Sequence, residues 1–404
     1  MDYRVVEELA FQNDKKMVLL VMDGLGGLQT PDHEGTELHV ARIPNLNLLA
    51  RQGSCGLMDP IMPGVTPGSG PAHFALFGYD PVENNIGRGV LEAAGIGMEL
   101  TPKDVAVRIN FATVDENGNI VDRRAGRIPT EECERLCKKL QEKVDLGQDV
   151  QFIIKPVKEH RAMVVLRGEG LSGDLLDTDP QQTGVPALPA TPTVDSEEAR
   201  RTAKIVDELV RQAREILKDE PKANFILLRG FAKNRHYRSM QERFKIRPYA
   251  IANYPMYRGV AKLVGMTLHP ITPDVKTEFE ALREMWDKYD YFFLHVKYTD
   301  SRGEDGDFDA KVKVIEEVDS YIPMITELNP DVLVVTGDHS TPAALKSHSW
   351  HPVPVLLSAP TARMDDVERF DEVSCTRGML GRFQTVELMA LMLAHALRLK
   401  KFGA

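Results

Sequence analysis

Cysteine is scarce: Cys55, Cys133, Cys137 and Cys375 are the four in 404 residues. That is too few for a disulfide scaffold, which a chain this long does not need. Cys133 and Cys137 lack the C-x-x-C spacing of a redox pair, so reduced thiols in a cytosolic protein are expected. Long apolar runs are also missing. The longest near either end, Met17 to Met22 and Leu388 to Ala394, fall well short of the roughly 20 residues that a membrane span needs. The opening Met-Asp-Tyr-Arg-Val-Val-Glu-Glu has no basic segment followed by an apolar one, so no signal peptide is expected. There is no excess of positive charge. Lys and Arg number 50 against 60 Asp and Glu, a net charge of −10, which disfavours nucleic acid as a partner and leaves room for a local basic pocket. No internal repeat or low-complexity segment is present. Hydrophobic residues at 43% and charged residues at 27% exclude a mainly disordered, collagen-like or coiled-coil chain. At roughly 150 residues per domain, two or three domains are expected. Nothing in the sequence sets an oligomeric state.

Four short, continuous apolar runs are present, as fully buried strands require. Met17 to Met22 stops at Asp23-Gly24. Asp290 to Val296 ends near Asp300. Asp331 to Thr336 ends at Gly337-Asp338-His339. Val353 to Ser358 is introduced by His348-Ser349-Trp350-His351-Pro352. Helical spacing lies between and after them, at Phe308 to Leu328, where Pro323 is a candidate kink. It recurs at Gln384 to Leu399, whose Arg398, Lys400 and Lys401 suit a helix C-terminus. This alternation predicts an α/β fold with a mostly parallel sheet flanked by helices. The middle differs. Val105 to Val121 alternates around a turn at Asp115 to Asn119, followed by helical stretches at Thr130 to Val144 and Ser196 to Lys218. Short strands are expected at Ala162 to Leu166 and Phe225 to Leu228. The predicted organisation is a first domain in two parts, 1–104 and 266–404, interrupted by a smaller α/β domain at 105–265.

Ligands of a parallel sheet gather beyond the carboxyl ends of its strands. Asp23, Asp300 with Glu304, and Asp338 with His339 follow three of the runs, and His348 and His351 precede the fourth. Each alone reads as a cap or a structural histidine; together they form a metal-competent set. Carboxylates with imidazoles suit Mn²⁺ or Zn²⁺, and also Co²⁺ or Mg²⁺. Five to seven such groups suit two ions, which in phosphoryl transfer clamp the attacking and leaving oxygens. Ser69, in Thr66-Pro-Gly-Ser-Gly-Pro-Ala-His73, is either an N-cap or a nucleophile at a helix N-terminus, where negative charge is favoured. Gly168-Glu-Gly-Leu-Ser-Gly173 matches G-x-G-x-x-G, but it runs into an acidic, proline-ended stretch that opens no helix, so no dinucleotide site is expected. Asp300 to Asp309 lacks the ligand order of a calcium loop, because position 302 is Arg. Asp122-Arg-Arg-Ala-Gly-Arg127, His160-Arg161, Arg229, Arg258 and Lys262 bring basic groups to strand ends. As a set they suggest an anion pocket facing the metal residues across a cleft.

Several of these motifs together resemble the cofactor-independent phosphoglycerate mutases of the archaeal type, in the alkaline phosphatase superfamily. They are Met17-Val-Leu-Leu-Val-Met-Asp23-Gly24, Ile43-Pro-Asn-Leu46, Gly68-Ser-Gly-Pro-Ala-His73 with Gly78-Tyr-Asp-Pro81, Asp122 to Arg127, and Gly337-Asp-His-Ser-Thr-Pro342. The resemblance spans nearly the whole chain. It implies a glycolytic and gluconeogenic enzyme of the cytoplasm, with Ser69 carrying a phosphoserine between 3- and 2-phosphoglycerate. It also implies one metal on Asp23, Ser69, Asp338 and His339, and another on Asp300, residue 304 and His348. His351 need not be a ligand. Substrate-side positions would be Asp122, Arg123, His160, Arg161, Arg229 and Lys262. The family commonly has His where this chain has Glu304; a glutamate would favour Mn²⁺ or Mg²⁺ over Zn²⁺, and Asp305 is the fallback ligand. The alternative is a phosphatase or phosphotransferase of the same superfamily acting on another small phosphorylated metabolite. Closure of the cleft against water would separate the two.

Overall fold

The structure is a computed structural model and describes residues 4–84 and 86–403. Part of the signal-peptide expectation falls on residues 1–3, outside the described residues. The chain divides into two compact units, Met1–Asn85 with Arg238–Ala404, and Ile86–Tyr237. Along the described chain the strands are β1 (Met17–Met22), β2 (Ser54–Asp59), β3 (Asp104–Val114), β4 (Ile120–Asp122), β5 (Gln151–Lys158) and β6 (Arg161–Arg167). They continue with β7 (Phe225–Lys233), β8 (Pro248–Ile251), β9 (Thr267–Leu268), β10 (Tyr291–Val296), β11 (Val332–Thr336), β12 (Val353–Ser358) and β13 (Gly381–Gln384).

The first unit is built on an eight-stranded sheet of order β13-β2-β12-β11-β1-β10-β8-β9. Every pair is parallel except those of β12, which runs against both β11 and β2. β1, β10 and β11 are buried along their whole length, which is why they read as unbroken apolar runs. Their carboxyl ends share one edge. The reversal of β12 brings the residues that precede it to that same edge, so His348 arrives from the opposite chain direction. Helices Pro44–Gln52, Val275–Met285 and Phe308–Thr326 contribute to the apolar cluster on one sheet face.

The second unit is an antiparallel sheet, β4-β3-β6-β5 with β7 on the other side of β3. Helices Thr130–Lys143 and Glu197–Leu217 bury their apolar stripes against it. The hairpin predicted around Asp115 to Asn119 joins β3 to β4.

The units meet the sequence limits of 105 and 265 only approximately. Helix Arg88–Gly95 packs on β3 and β7, so closely that a Cβ on Gly89 would lie 2.3 Å from the Ala106 oxygen. That places residues from 86 onward in the second unit. β8 pairs with β10 in the large sheet, which returns residues from 238 onward to the first. A four-residue strand opening with proline carries too little pattern to be read beforehand.

Two local expectations change. The last helix covers only Leu388–His395, because Leu397 takes a left-handed φ of 53°. Arg398 is no solvated helix end: it is fully buried and donates to the carbonyls of Asn13 (2.7 Å) and Lys15 (3.0 Å). Pro323 does not break its helix, which runs to Thr326. The Asp319 carbonyl accepts from Asn45 Nδ2 at 3.0 Å.

Candidate metal centre and anion cavity

Ser69 is the first residue of helix Ser69–Leu76, with Gly68 as its N-cap. The serine is therefore not the cap, and its hydroxyl stands at the positive end of the helix. It is 8% exposed, and its Oγ lies 3.3 Å from His339 Nε2.

Asp23 directly follows β1 and opens the turn there, and Asp338 and His339 follow β11. One ligand atom of each falls within 4.8 Å of the others. A second group of the same size joins Asp300, His339 and His348. His339 thus belongs to both, with its ring stacked on His348 at 3.7 Å. His348 Nε2 is 3.6 Å from Asp300 Oδ1. Glu304 is not gathered with them: it is exposed on helix Tyr298–Asp305. Asp305, equally exposed, pairs with Arg302 at 3.3 Å. His351 joins neither group; its Nδ1 is 3.0 Å from Ser349 Oγ.

These buried carboxylates have few hydrogen bonds of good geometry, and their charge is met instead by Lys297 at 3.0 Å from Asp23 and by histidines at 3.2–3.5 Å. Neither oxygen of Asp23, nor Oδ2 of Asp338, has a hydrogen-bond partner among the described residues. Burial opposes ionisation of Asp23, but His295, Lys297 and His339 outweigh it and hold the carboxyl well below its usual range. Burial, helped by the neighbouring His348, pulls His339 toward the neutral ring, against Asp338, Asp23 and Asp300. Thr341 Oγ1 donates to Asp300 Oδ1 at 2.6 Å and lies 3.0 Å from His339 Nδ1. A hydroxyl whose proton is committed to a carboxylate can only accept, so Nδ1 carries the hydrogen and the Nε2 lone pair faces Asp23 and Asp338. Buried anionic oxygens and an imidazole lone pair converging on one point fit a divalent cation.

The turn after β1 requires glycine. Gly24 sits at φ +63°, and a Cβ there would lie 2.6 Å from Thr341 Oγ1 and 2.9 Å from Asp300 Cβ.

Several groups here had no reading as site residues. His73, one helical turn after Ser69, places Nδ1 2.8 Å from the Ser69 carbonyl and 3.2 Å from Asp338 Oδ2. His295 reaches Asp23 at 3.5 Å from inside β10. Both look like core histidines in an apolar stretch. Lys297 lies 3.0 Å from Asp23, pairs with Asp300, and donates to the Tyr257 hydroxyl at 3.1 Å. Its place just beyond β10 was the available signal.

The second unit holds a cavity of about 260 Å³ lined by Arg108, Asn110, Arg123, Arg124, Arg127, Glu159, His160, Arg161 and Arg229. Of the expected substrate-side residues, Arg123, His160, Arg161 and Arg229 line it. Asp122 instead shapes its rim: its carboxylate accepts from the Arg124 and Gly126 amides at 2.8 and 2.6 Å. Those bonds hold a left-handed turn in which Ala125, Gly126 and Arg127 take φ of 47°, 62° and 51°. Lys262 lies exposed in the first unit. Arg108 and Asn110, on β3, were not foreseen.

The acidic stretch that argued against a dinucleotide site supplies the counterions. Asp179 grips Arg123 with two bonds of 2.8 Å, and Asp177 lies 3.4 Å from Arg229. Arg124, Arg127 and Arg161 have no carboxylate partner among the described residues. Burial, then the adjacent Arg161, pushes His160 down to about 4, so the ring is neutral in a strongly positive cavity. The arrangement suits a small anion that carries hydroxyl groups.

Comparison with known proteins agrees with this chemistry. The family model of 2,3-bisphosphoglycerate-independent phosphoglycerate mutase matches residues 50–223. Proteins described as probable 2,3-bisphosphoglycerate-independent phosphoglycerate mutases of Thermus thermophilus and Aquifex aeolicus are each 50% identical to this chain. They cover 100% and 99% of it, over 99% and 100% of their own lengths. The solved cofactor-independent phosphoglycerate mutase of Thermoplasma acidophilum is similar with a TM-score of 0.75 at 30% identity, over 95% of this chain and 100% of that one. A solved protein of Pyrococcus horikoshii gives 0.83 at 29% identity, over 97% and 100%.

Proposed function

The chain belongs to the 2,3-bisphosphoglycerate-independent phosphoglycerate mutases, and we propose that it interconverts 3- and 2-phosphoglycerate through a phosphoserine at Ser69. The observation that carries this reading is Ser69 at a helix N-terminus, 3.3 Å from a histidine that belongs to both ligand groups.

Ser69 Oγ attacks phosphorus; the bond to the 3-oxygen breaks, and that oxygen takes up a proton. The 2-hydroxyl then attacks the phosphoserine, losing its proton as the Ser69 O–P bond breaks. His339 Nε2, with its lone pair set by Thr341, accepts the Ser69 hydroxyl hydrogen bond while no ion is bound; with an ion on that lone pair, the Ser69 proton leaves to solvent. The helix N-terminus favours the charge that develops there. Asp23, Ser69, Asp338 and His339 would hold one divalent ion, and Asp300 with His348 a second, since the single free lone pair of His339 serves only one. Bound ions would lower the pKa of the serine hydroxyl and neutralise phosphoryl oxygens. Mn²⁺ matches the mixed carboxylate and imidazole donors and is the first ion to test. Glu304 is left out of this set.

The arginine cavity would hold the glycerate carboxylate, with Arg161, Arg124 and Arg127 free to pair with it. Among the described residues no helix is long and apolar enough to cross a membrane. All four cysteines are buried and unpaired, which supports a reducing compartment, and the cytoplasm is part of this proposal.

The test is conversion of 3-phosphoglycerate with no bisphosphoglycerate added, in Mn²⁺ and in chelator, with free phosphate followed in parallel. Metal-dependent isomerisation without phosphate release is the expected result; phosphate release alone would make the protein a phosphatase. Ser69→Ala should abolish turnover with an unchanged melting curve. An active Ser69→Ala protein would overturn the phosphoserine route.

A further inference from the structure

Lys311 lies in the first turn of helix Phe308–Thr326 and is completely buried. Both features are unfavourable for an ammonium. Desolvation costs several kcal/mol, and the N-terminal end of a helix repels positive charge. Nothing in the proposed chemistry uses it directly.

Its three donors are all committed to backbone carbonyls: Gly24 at 2.9 Å, Gly26 at 3.0 Å and Thr341 at 2.8 Å. Two of these carbonyls belong to the turn that follows Asp23, and the third to the turn that follows His339. The same two turns bond each other, since the Thr341 amide donates to the Gly24 and Gly26 oxygens at 3.2 and 3.1 Å. The Gly24 amide donates to Asp338 Oδ1 at 3.1 Å.

Glu37 mirrors the lysine. Also buried, it stands 3.8 Å from the ammonium. Its carboxylate accepts from Leu28 at 3.2 Å and from Ala343 at 2.8 Å, the continuations of the same two turns. Gly27 permits this approach, because a Cβ there would lie 1.9 Å from Glu37 Oε2. One buried ion pair therefore grips both ligand-bearing turns, the cation by their carbonyls and the anion by their amides.

We propose that Lys311, with Glu37 as its counterion, is a positioning residue that sets the spacing of the Asp23 and Asp338–His339 ligands before an ion binds. It acts through Gly24 and Thr341, and Thr341 in turn touches both Asp300 and His339. The inference rests on the metal-centre reading above. Apolar replacement of a buried ion pair is often neutral for folding; a device that presets ligand geometry makes a different prediction.

The experiment titrates Mn²⁺ into chelator-stripped protein by calorimetry and records the melting curve of the stripped protein. The double variant Lys311→Met/Glu37→Gln removes both charges of this pair together; the nearby Glu372 keeps its bonds from the Gly27 amide and the Thr36 hydroxyl. It should melt cooperatively yet bind Mn²⁺ 10- to 100-fold more weakly, the usual range for groups that orient metal ligands. Lys311→Ala should recover part of its Mn²⁺ affinity in methylammonium chloride and none in tetramethylammonium chloride, which has no N–H donors. Wild-type Mn²⁺ affinity in the double variant overturns the proposal. If that variant does not fold, an Lys311→Ala defect that methylammonium leaves unchanged overturns it equally. Wild-type protein that takes up no Mn²⁺ overturns the metal-centre reading, and this inference with it.

Discussion

Thr341→Val isolates the bond that orients the shared histidine. Valine keeps the shape of threonine in a fully buried site but removes its hydroxyl. Two interactions disappear: the 2.6 Å donation to Asp300 and the 3.0 Å acceptance from His339 Nδ1. A hydrogen bond to a charged group contributes about 1.5–3 kcal/mol, and each 1.4 kcal/mol or so is a factor of ten. Loss of the Asp300 bond alone thus predicts Mn²⁺ binding weaker by about 10- to 100-fold. The stranded Nδ1–H costs about 1–3 kcal/mol more while it stays buried, so the ring is free to turn over and present the wrong nitrogen. Calorimetric titration of stripped protein measures the affinity, and steady-state kinetics at saturating Mn²⁺ measure the residual rate. Thr341→Ser restores the hydroxyl and should recover most of both. A Thr341→Val protein with wild-type Mn²⁺ affinity, or a serine variant as impaired as the valine one, would refute the role given to this hydroxyl.

Two further predictions address groups away from that bond. Glu278 is 2% exposed with Oε1 taking one bond from Asn253 at 2.7 Å and Oε2 none; burial, then Asp274, pushes its carboxyl up to about 8. The folded state therefore holds a proton that the unfolded state releases above its ordinary value of 4.5, so this group's contribution to stability falls as pH rises from there to about 8. Glu278→Gln should come close to wild type in urea unfolding near pH 5 and exceed it by roughly 4 kcal/mol near pH 9; a difference that does not change with pH would refute this. Arg161→Met should raise KM for 3-phosphoglycerate about 10- to 100-fold, the loss of one charged bond, with Mn²⁺ affinity unchanged. Kinetics with calorimetry separates the two effects, and an unchanged KM would remove Arg161 from the anion site.

The strand ends were legible because burial on both faces leaves almost only apolar residues, His295 in β10 and Thr336 at the end of β11 being exceptions, until the chain leaves the sheet. That is why Asp23, Asp338 and His339 stand out at the ends of β1 and β11, and why Asp300 follows β10 so closely. His348 was legible only as the preface to a fourth run; its place depends on β12 running backwards, which no local pattern reports. Glu304 shows the limit of spacing: a residue one helical turn from a ligand is a neighbour on the helix surface, yet its side chain here is exposed. The arginines of the cavity were visible as clusters. Arg108 was hidden because one charge inside an otherwise apolar strand looks like an exposed position.

His73, His295, Thr341 and Lys311 were missed for a common reason. Periodicity reports which face of an element is buried, and on that face a polar residue registers as a defect in the pattern. In helix Phe308–Thr326 the apolar positions Ile315, Val318, Ile322 and Ile325 define the inward stripe. Lys311 lies four residues before Ile315, on the same stripe. A lysine there cannot be exposed unless the helix turns away from its own core. Its charge must be answered inside, and the answer found is three carbonyls on two ligand-bearing turns. The polar exceptions on a buried face are thus the places where a sequence states a positional requirement without naming the partner. At Lys311 the partners lie 285 or more residues away for two of its three bonds, which only the folded chain discloses.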